Sequence, residues 1–160
     1  MTIQVGDAIP SAKLMTPSAD GPKEVTTEEL FGGKTVALFG VPGAFTPTCS
    51  AKHLPGFVQH AAALKAKGVD TIACMAVNDV FVMGAWGKDQ GVGDKVVMLA
   101  DGAANFTKAL GVELDLTGRG LGMRCQRFLL IAKDGKVTHM AVEAPGAFEV
   151  SSAEAALAKL

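Results

Sequence analysis

Tyrosine is absent from this 160-residue chain, and tryptophan occurs once. Aromatics make up only 6% of the residues while apolar types make up 49%, so alanine, valine and leucine must fill most of the core. No apolar run approaches the roughly 18 residues that a membrane-spanning helix needs. The opening stretch, Met1-Thr-Ile-Gln-Val-Gly-Asp7, lacks the charged-then-apolar layout of a secretion signal. These features predict a cytoplasmic location, and they send the surplus apolar surface implied by a mean hydropathy of +0.30 into a core or a subunit interface. Long runs of one charge are missing too. Fifteen basic against sixteen acidic residues leave a net charge of -1, which argues against nucleic acid and against a polybasic membrane anchor. The three cysteines, Cys49, Cys74 and Cys125, are too few and too widely spaced for a disulfide scaffold, and no C-x-x-C dithiol occurs. Nor do the scattered histidines and cysteines make a zinc site, so neither a metal nor a cofactor is expected.

What is there suits one domain, residues 1–160, with no internal repeat, low-complexity segment or linker. Residues 1–30 read as irregular or short-stranded, broken by Pro10, Pro17 and Pro22. Thr26-Thr-Glu-Glu29 has the spacing of a capping box and predicts a short helical turn to Phe31. Thr35–Phe39 and Thr71–Val77 are continuous apolar runs suited to strands buried on both faces. Between them the pattern predicts a helix from about Thr48 to Lys67, kinked at Pro55 and ended by Gly68. Asp79 is placed to cap a helix through Trp86, Lys95–Ala100 reads as a third strand, and Asn105–Leu110 as a short helix. Met123–Ala132 and Lys136–Val142 then read as two strands joined by a hairpin centred on Asp134-Gly135. Ser151-Ser-Ala-Glu154 repeats the capping-box spacing and opens a helix to Leu160. Strand–helix–strand units followed by a hairpin and a last helix describe an α/β sandwich with a mixed sheet.

The stretch Phe39-Gly-Val-Pro-Gly-Ala-Phe-Thr-Pro-Thr-Cys49 carries the chemistry. It leads from a strand through a Pro/Gly-rich loop and delivers one cysteine to the start of a helix. Free backbone N–H groups and the positive end of the helix dipole favour negative charge there, and the thiolate is the nucleophilic form of cysteine. Thr46 and Thr48 add hydroxyls near the sulfur; Pro42 and Pro47 stiffen the approach. Other motifs weigh less. Gly32-Gly-Lys-Thr35 resembles the end of a P-loop, but Glu28 stands at the first glycine position and a strand follows. Gly118-Arg-Gly-Leu-Gly122 is too short for a dinucleotide fingerprint and reads as a loop. His53, four residues after Cys49, invites a Cys–His hydrolase reading; with no orienting acid in sight it reads as a surface residue.

Pro42-Gly-Ala-Phe-Thr46-Pro-Thr-Cys49 resembles the Pro-x-x-x-Thr-x-x-Cys signature of the peroxiredoxins, and the fuller Val41–Ser50 stretch is similar to their type II, plant-type branch. His53-Leu-Pro-Gly-Phe57, Val77-Asn-Asp-Val-Phe-Val-Met83, Leu99-Ala-Asp-Gly102, Arg127-Phe and Val150-Ser-Ser-Ala-Glu154 extend the likeness over residues 3–160. The resemblance implies a thioredoxin-like three-layer sandwich, a central mixed β-sheet flanked by helices. It also implies a thiol peroxidase acting on hydrogen peroxide and alkyl hydroperoxides. Cys49 would be the peroxidatic nucleophile, Arg127 the charge beside its sulfur, Thr46 a hydrogen-bonding partner of sulfur or peroxide, and Pro42 a wall of the pocket. Alternation along a continuous strand would put Cys125, Arg127 and Leu129 on one face.

Some relatives carry a resolving cysteine near the C-terminus, but here Glu143–Ser152 has none. Cys74, in an apolar run, and Cys125 read as packing. The expected cycle uses one cysteine, regenerated by glutathione or a glutaredoxin. The alternatives are thioredoxin, with Cys74 or Cys125 as the resolving thiol, and a redox-sensing binding module. The family's dimers imply a homodimer, with Phe45, Phe81 and Trp86 as candidates for its surface.

Overall fold

The computed structural model describes residues 1–160. Two strands, β1 (Lys13–Ser18) and β2 (Gly21–Thr26), form a hairpin that leads into helix α1 (Thr27–Phe31). The Thr26 hydroxyl accepts from Glu29 N–H and the Glu29 carboxylate reaches back to Thr26 N–H, so the capping box is present. The hairpin was not legible as such because its prolines pair with each other, Pro17 opposite Pro22, next to the turn. Prolines placed there remove no hydrogen bond that the sheet requires.

Strand β3 (Thr35–Gly40) runs at the centre of the molecule, followed by a π-helical turn (Cys49–His53) and helices α2 (Leu54–Gln59) and α3 (Ala61–Ala66). The helical region expected over 48–67 is interrupted at His60, and the irregularity ahead of Pro55 is a π-helical turn. The wider turn ahead of Pro55 accommodates a residue with no N–H to give, so the proline falls in the first turn of α2. Next come β4 (Thr71–Ala76), α4 (Val80–Asp89), β5 (Val97–Ala100) and α5 (Asn105–Leu110). Asp79 caps α4 by accepting from Val82 N–H at 2.8 Å.

The expected strand over 123–132 is two strands. A small side sheet pairs β6 (Glu113–Leu116), unforeseen in the sequence, with β7 (Gly122–Cys125). The chain then breaks at Gln126-Arg127 before β8 (Phe128–Lys133), which returns through the Asp134-Gly135 turn as β9 (Lys136–Val142). Both turn residues have positive φ, as such a two-residue turn demands. Helix α6 (Ala153–Ala158) closes the chain, capped by Ser152 and not, as the spacing suggested, by Ser151.

The main sheet runs β2-β1-β5-β4-β3-β8-β9, with β3, β4 and β5 parallel and the remaining pairings antiparallel. Strict alternation along β3 sends Ala37 and Phe39 to one face and Val36 and Leu38 to the other. The first face packs against α2, α3, α4 and α6, the second against α1 and α5, giving the three-layer α/β sandwich with a mixed central sheet.

Candidate active site

The site lies beyond the C-terminal end of β3, where a parallel sheet leaves an opening for function. At that end Gly40 faces Phe128 of β8 across the ladder, and a Cβ on Gly40 would stand 2.1 Å from the Phe128 ring. Only glycine lets the two strands close there. The loop that follows is pinned by three contacts. Ala44 N–H donates to Asn78 Oδ1 at 3.0 Å, the Thr46 hydroxyl donates to Gly43 O at 2.7 Å, and Arg124 Nη1 reaches Pro42 O at 3.5 Å. Phe45, half exposed, takes φ 64°, a left-handed conformation that is costly for an aromatic residue. That residue turns the chain sharply enough for Pro47 and Thr48 to begin a helical turn, which places Cys49 within its start.

Cys49 is fully buried, in the apolar cluster that also holds Phe39 and Leu54. Its sulfur accepts from Arg127 Nη2 at 3.1 Å. Arg127 lies two residues before Leu129 and turns to the same layer, in step with the alternation of β8, which brings it to Cys49. Cys125 goes the other way. It packs in the opposite layer with Phe128 and Leu130, and its thiol donates to Val41 O at 3.1 Å. The expectation that Cys125, Arg127 and Leu129 share one face is corrected for Cys125 alone: Arg127 and Leu129 turn to the Cys49 layer, and the break between β7 and β8 puts Cys125 in the other.

His53 is the second correction. It is fully buried, not a surface residue, and it holds Arg127 from behind. Arg127 Nη1–H donates to His53 Nδ1 at 2.9 Å, and His53 Nε2–H donates to the Ser151 carbonyl at 2.8 Å. Burial, reinforced by the neighbouring guanidinium, pushes the imidazole down to about 3 despite its bond to Ser151. The ring also lies against Phe39 and Phe57, and Phe148 meets it edge-on at 5.0 Å. Its spacing of four from Cys49 was the signal in the sequence. The missing element was the partner, which is a cation and not the acid that a hydrolase would need.

Of the four residues singled out in advance, Cys49 and Arg127 touch. Pro42 and Arg127 line a groove of about 760 Å³ together with Thr48, Arg119, Gln126 and Pro145; Cys49 and Thr46 do not line it, and Arg127 joins the groove to the sulfur. The Thr46 hydroxyl spends its proton on Gly43 O and leaves its lone pairs free, so it does not donate to the sulfur. Trp86, considered for a subunit surface, is fully buried and donates through Nε1 to Ser50 Oγ at 3.0 Å. Phe81 is 73% exposed. Burial pushes the Cys125 thiol up to about 12 and the Cys74 thiol well above its usual range.

Residues 4–157 match the model of the Redoxin family. The chain is 52% identical over 157 residues to "Peroxiredoxin-2E, chloroplastic" of Arabidopsis thaliana, covering 96% of this chain and 67% of that protein. It is 50% identical over 159 residues to "Peroxiredoxin-2C" of Oryza sativa subsp. japonica, covering 99% and 98%. The crystal structure of reduced Prx3 in complex with H2O2 from Vibrio vulnificus superposes with a TM-score of 0.94 at 53% identity, over 98% of both chains.

Proposed function

The chain belongs to the Redoxin family as a type II peroxiredoxin of the thioredoxin-fold superfamily, and on that premise we propose that its peroxidase cycle runs through Cys49 and is closed by an external thiol. The observation that carries this reading is the 3.1 Å contact between the Arg127 guanidinium and the Cys49 sulfur. A permanent cation there gives the thiolate a partner and can polarise a peroxide lying beside it. The Cys49 sulfur attacks the nearer oxygen of hydrogen peroxide or an alkyl hydroperoxide. An S–O bond forms and the O–O bond breaks. Sulfur gives up two electrons, and the departing oxygen takes a proton to leave as water or alcohol. Thr46, whose hydroxyl lone pairs are free, accepts the peroxide O–H during the approach. Pro42, at the rim of the groove, limits access of water to the sulfenic acid.

Two observations support regeneration by glutathione or a glutaredoxin over an internal disulfide. Cys74 and Cys125 are fully buried, with thiols held protonated by their surroundings. The loop from Glu143 to Ser152 contains no cysteine. A glutathione thiol would condense with the sulfenic acid, releasing water and leaving a mixed disulfide that a second thiol reduces. Thioredoxin would be the reductant if a second cysteine of this chain took part. All three cysteines are free, which suits a reducing compartment such as the cytoplasm. Exposed Phe45, on the site loop, and Phe81 suit a homodimer.

The test is the Cys49→Ser variant. Hydrogen peroxide consumption should fall to background, and unchanged turnover would refute the reading. Mass spectrometry of protein treated with peroxide and then glutathione should find one glutathione on Cys49. A disulfide from Cys49 to Cys74 or Cys125 would instead establish an internal resolving step.

A further inference from the structure

Glu143, the residue after β9, is tied to the site twice. Its backbone N–H donates to the Arg127 carbonyl at 2.9 Å. Its carboxylate, in a residue only 7% exposed, accepts from the N–H groups of Glu149, Val150 and Ser151 and from the Ser151 hydroxyl at 2.6 to 2.9 Å. Three consecutive amides and a hydroxyl converging on one carboxylate fold residues 144–151 back onto the end of β9. That segment has neither helix nor strand. The one other backbone bond inside it joins Ala147 N–H to Ala144 O. Glu143 is therefore its main fastening.

The fastened loop presents two groups to the buried imidazole, the Ser151 carbonyl at 2.8 Å and the Phe148 ring at 5.0 Å. We propose that Glu143 is a positioning residue for the peroxide reaction: through this loop it holds His53, and His53 holds Arg127 on the Cys49 sulfur. The inference rests on the reading of Cys49 as the peroxidatic thiol. Every link has a single allowed polarity. A carboxylate only accepts, so the amides must donate to it. A carbonyl only accepts, so Nε2 must carry the ring proton. Nδ1 is then an acceptor, which matches a guanidinium, since that group only donates. Reversing any one link would orphan a buried polar atom, so the network has one satisfied arrangement. The Ser151 carbonyl thus favours the tautomer that leaves Nδ1 free for Arg127, and the other tautomer would turn an N–H against the guanidinium.

The experiment uses the full chain carrying Glu143→Gln or Ser151→Ala. Reduced protein is mixed with hydrogen peroxide in a single turnover, followed by the fluorescence of Trp86. That residue is the only tryptophan and bonds the Ser50 hydroxyl beside Cys49, so no reductant enters the assay. Nitrogen NMR of the His53 ring is the second readout. Glutamine keeps the shape of Glu143 but offers one acceptor and a donor where several donors converge. The expected result is a peroxide rate lowered by about 10-fold or more, the scale typical of lost outer-shell partners, with both His53 tautomers present. Ser151→Ala removes one of the four donors and keeps the carbonyl, so its rate should fall by a smaller factor. A Glu143→Gln rate within twofold of the parent overturns the proposal, and so does a lowered rate with His53 still wholly in its Nε2–H form. If Glu143→Gln fails to fold, Ser151→Ala decides: an unchanged rate and an unchanged ring signal overturn it. Cys49→Ser is run in the same assay. Should its fluorescence still respond to peroxide at the parent's rate, the premise about Cys49 fails, an outcome separate from the failure of the Glu143 relay.

Discussion

A guanidinium carries donors and no acceptor, and this decides the state of His53. With Arg127 on Nδ1 and the Ser151 carbonyl on Nε2–H, the ring has no room for a second proton. Its pKa falls from 6.5 to about 3, chiefly because it is buried. The sign of the linkage follows. Between those two values the unfolded chain binds a proton that the folded one refuses, so stability rises with pH across the window. The contribution is whole above 6.5 and is lost as pH falls toward 3. Urea unfolding at pH 7 and pH 4.5 should show the parent losing about 2–3 kcal/mol more than His53→Gln, which has nothing to titrate there. Equal losses would mean that the folded ring accepts a proton. The sequence placed Cys49, Thr46, Pro42 and Arg127 through a local signature and a family likeness. It could not place His53 or Glu143, because their roles depend on a loop that returns to its own starting residue. A carboxylate that caps three amides of an irregular segment leaves no periodicity and no spacing rule to read.

The elements show a parallel contrast between local and remote causes. The β3 and β4 strands, the Asp134-Gly135 turn and the caps of α1 and α4 were legible, since each depends on a few adjacent residues. The β6–β7 sheet and the break at Gln126-Arg127 were not, since β7 turns back to pair with β6, Leu116 opposite Gly122 and Glu113 opposite Cys125, instead of continuing β8. The break puts Cys125 out of step with β8 and leaves Arg127 in step with Leu129, facing the sulfur. The β3 end is equally specific. Gly40 looks like an ordinary loop glycine in the sequence, yet its missing side chain is the space that the Phe128 ring fills. Gly40→Ala should therefore destabilise the fold by at least about 1–3 kcal/mol, the usual range for overpacking a dense core. Adding Phe128→Leu should restore part of that loss, because the two positions share one volume. A double variant no more stable than Gly40→Ala alone would show that the strain lies elsewhere.

Across the whole molecule the sheet divides the thiols. Cys49 and Cys74 belong to the layer with α2, α3, α4 and α6, whereas Cys125 packs in the layer with α1 and α5. Cys125 also spends its S–H on the backbone just past β3, at Val41 O. To meet the Cys49 sulfur it would have to leave a core position and give up that bond. Cys74 shares the Cys49 layer but is fully buried within β4, a strand paired on both sides, and its burial pushes the thiol well above its usual range. If neither thiol resolves the sulfenic acid, both are dispensable to turnover. Cys125→Ser keeps a donor for Val41 O, and Cys74→Ala removes a sulfur without burying an unpaired hydroxyl. The double variant, supplied with glutathione and glutaredoxin, should turn over hydrogen peroxide within about twofold of the parent, since neither residue touches the Arg127–Cys49 pair that the rate depends on. Turnover that stops after one equivalent of peroxide would mean that a core thiol does take part, and the sandwich would then have to open during each cycle.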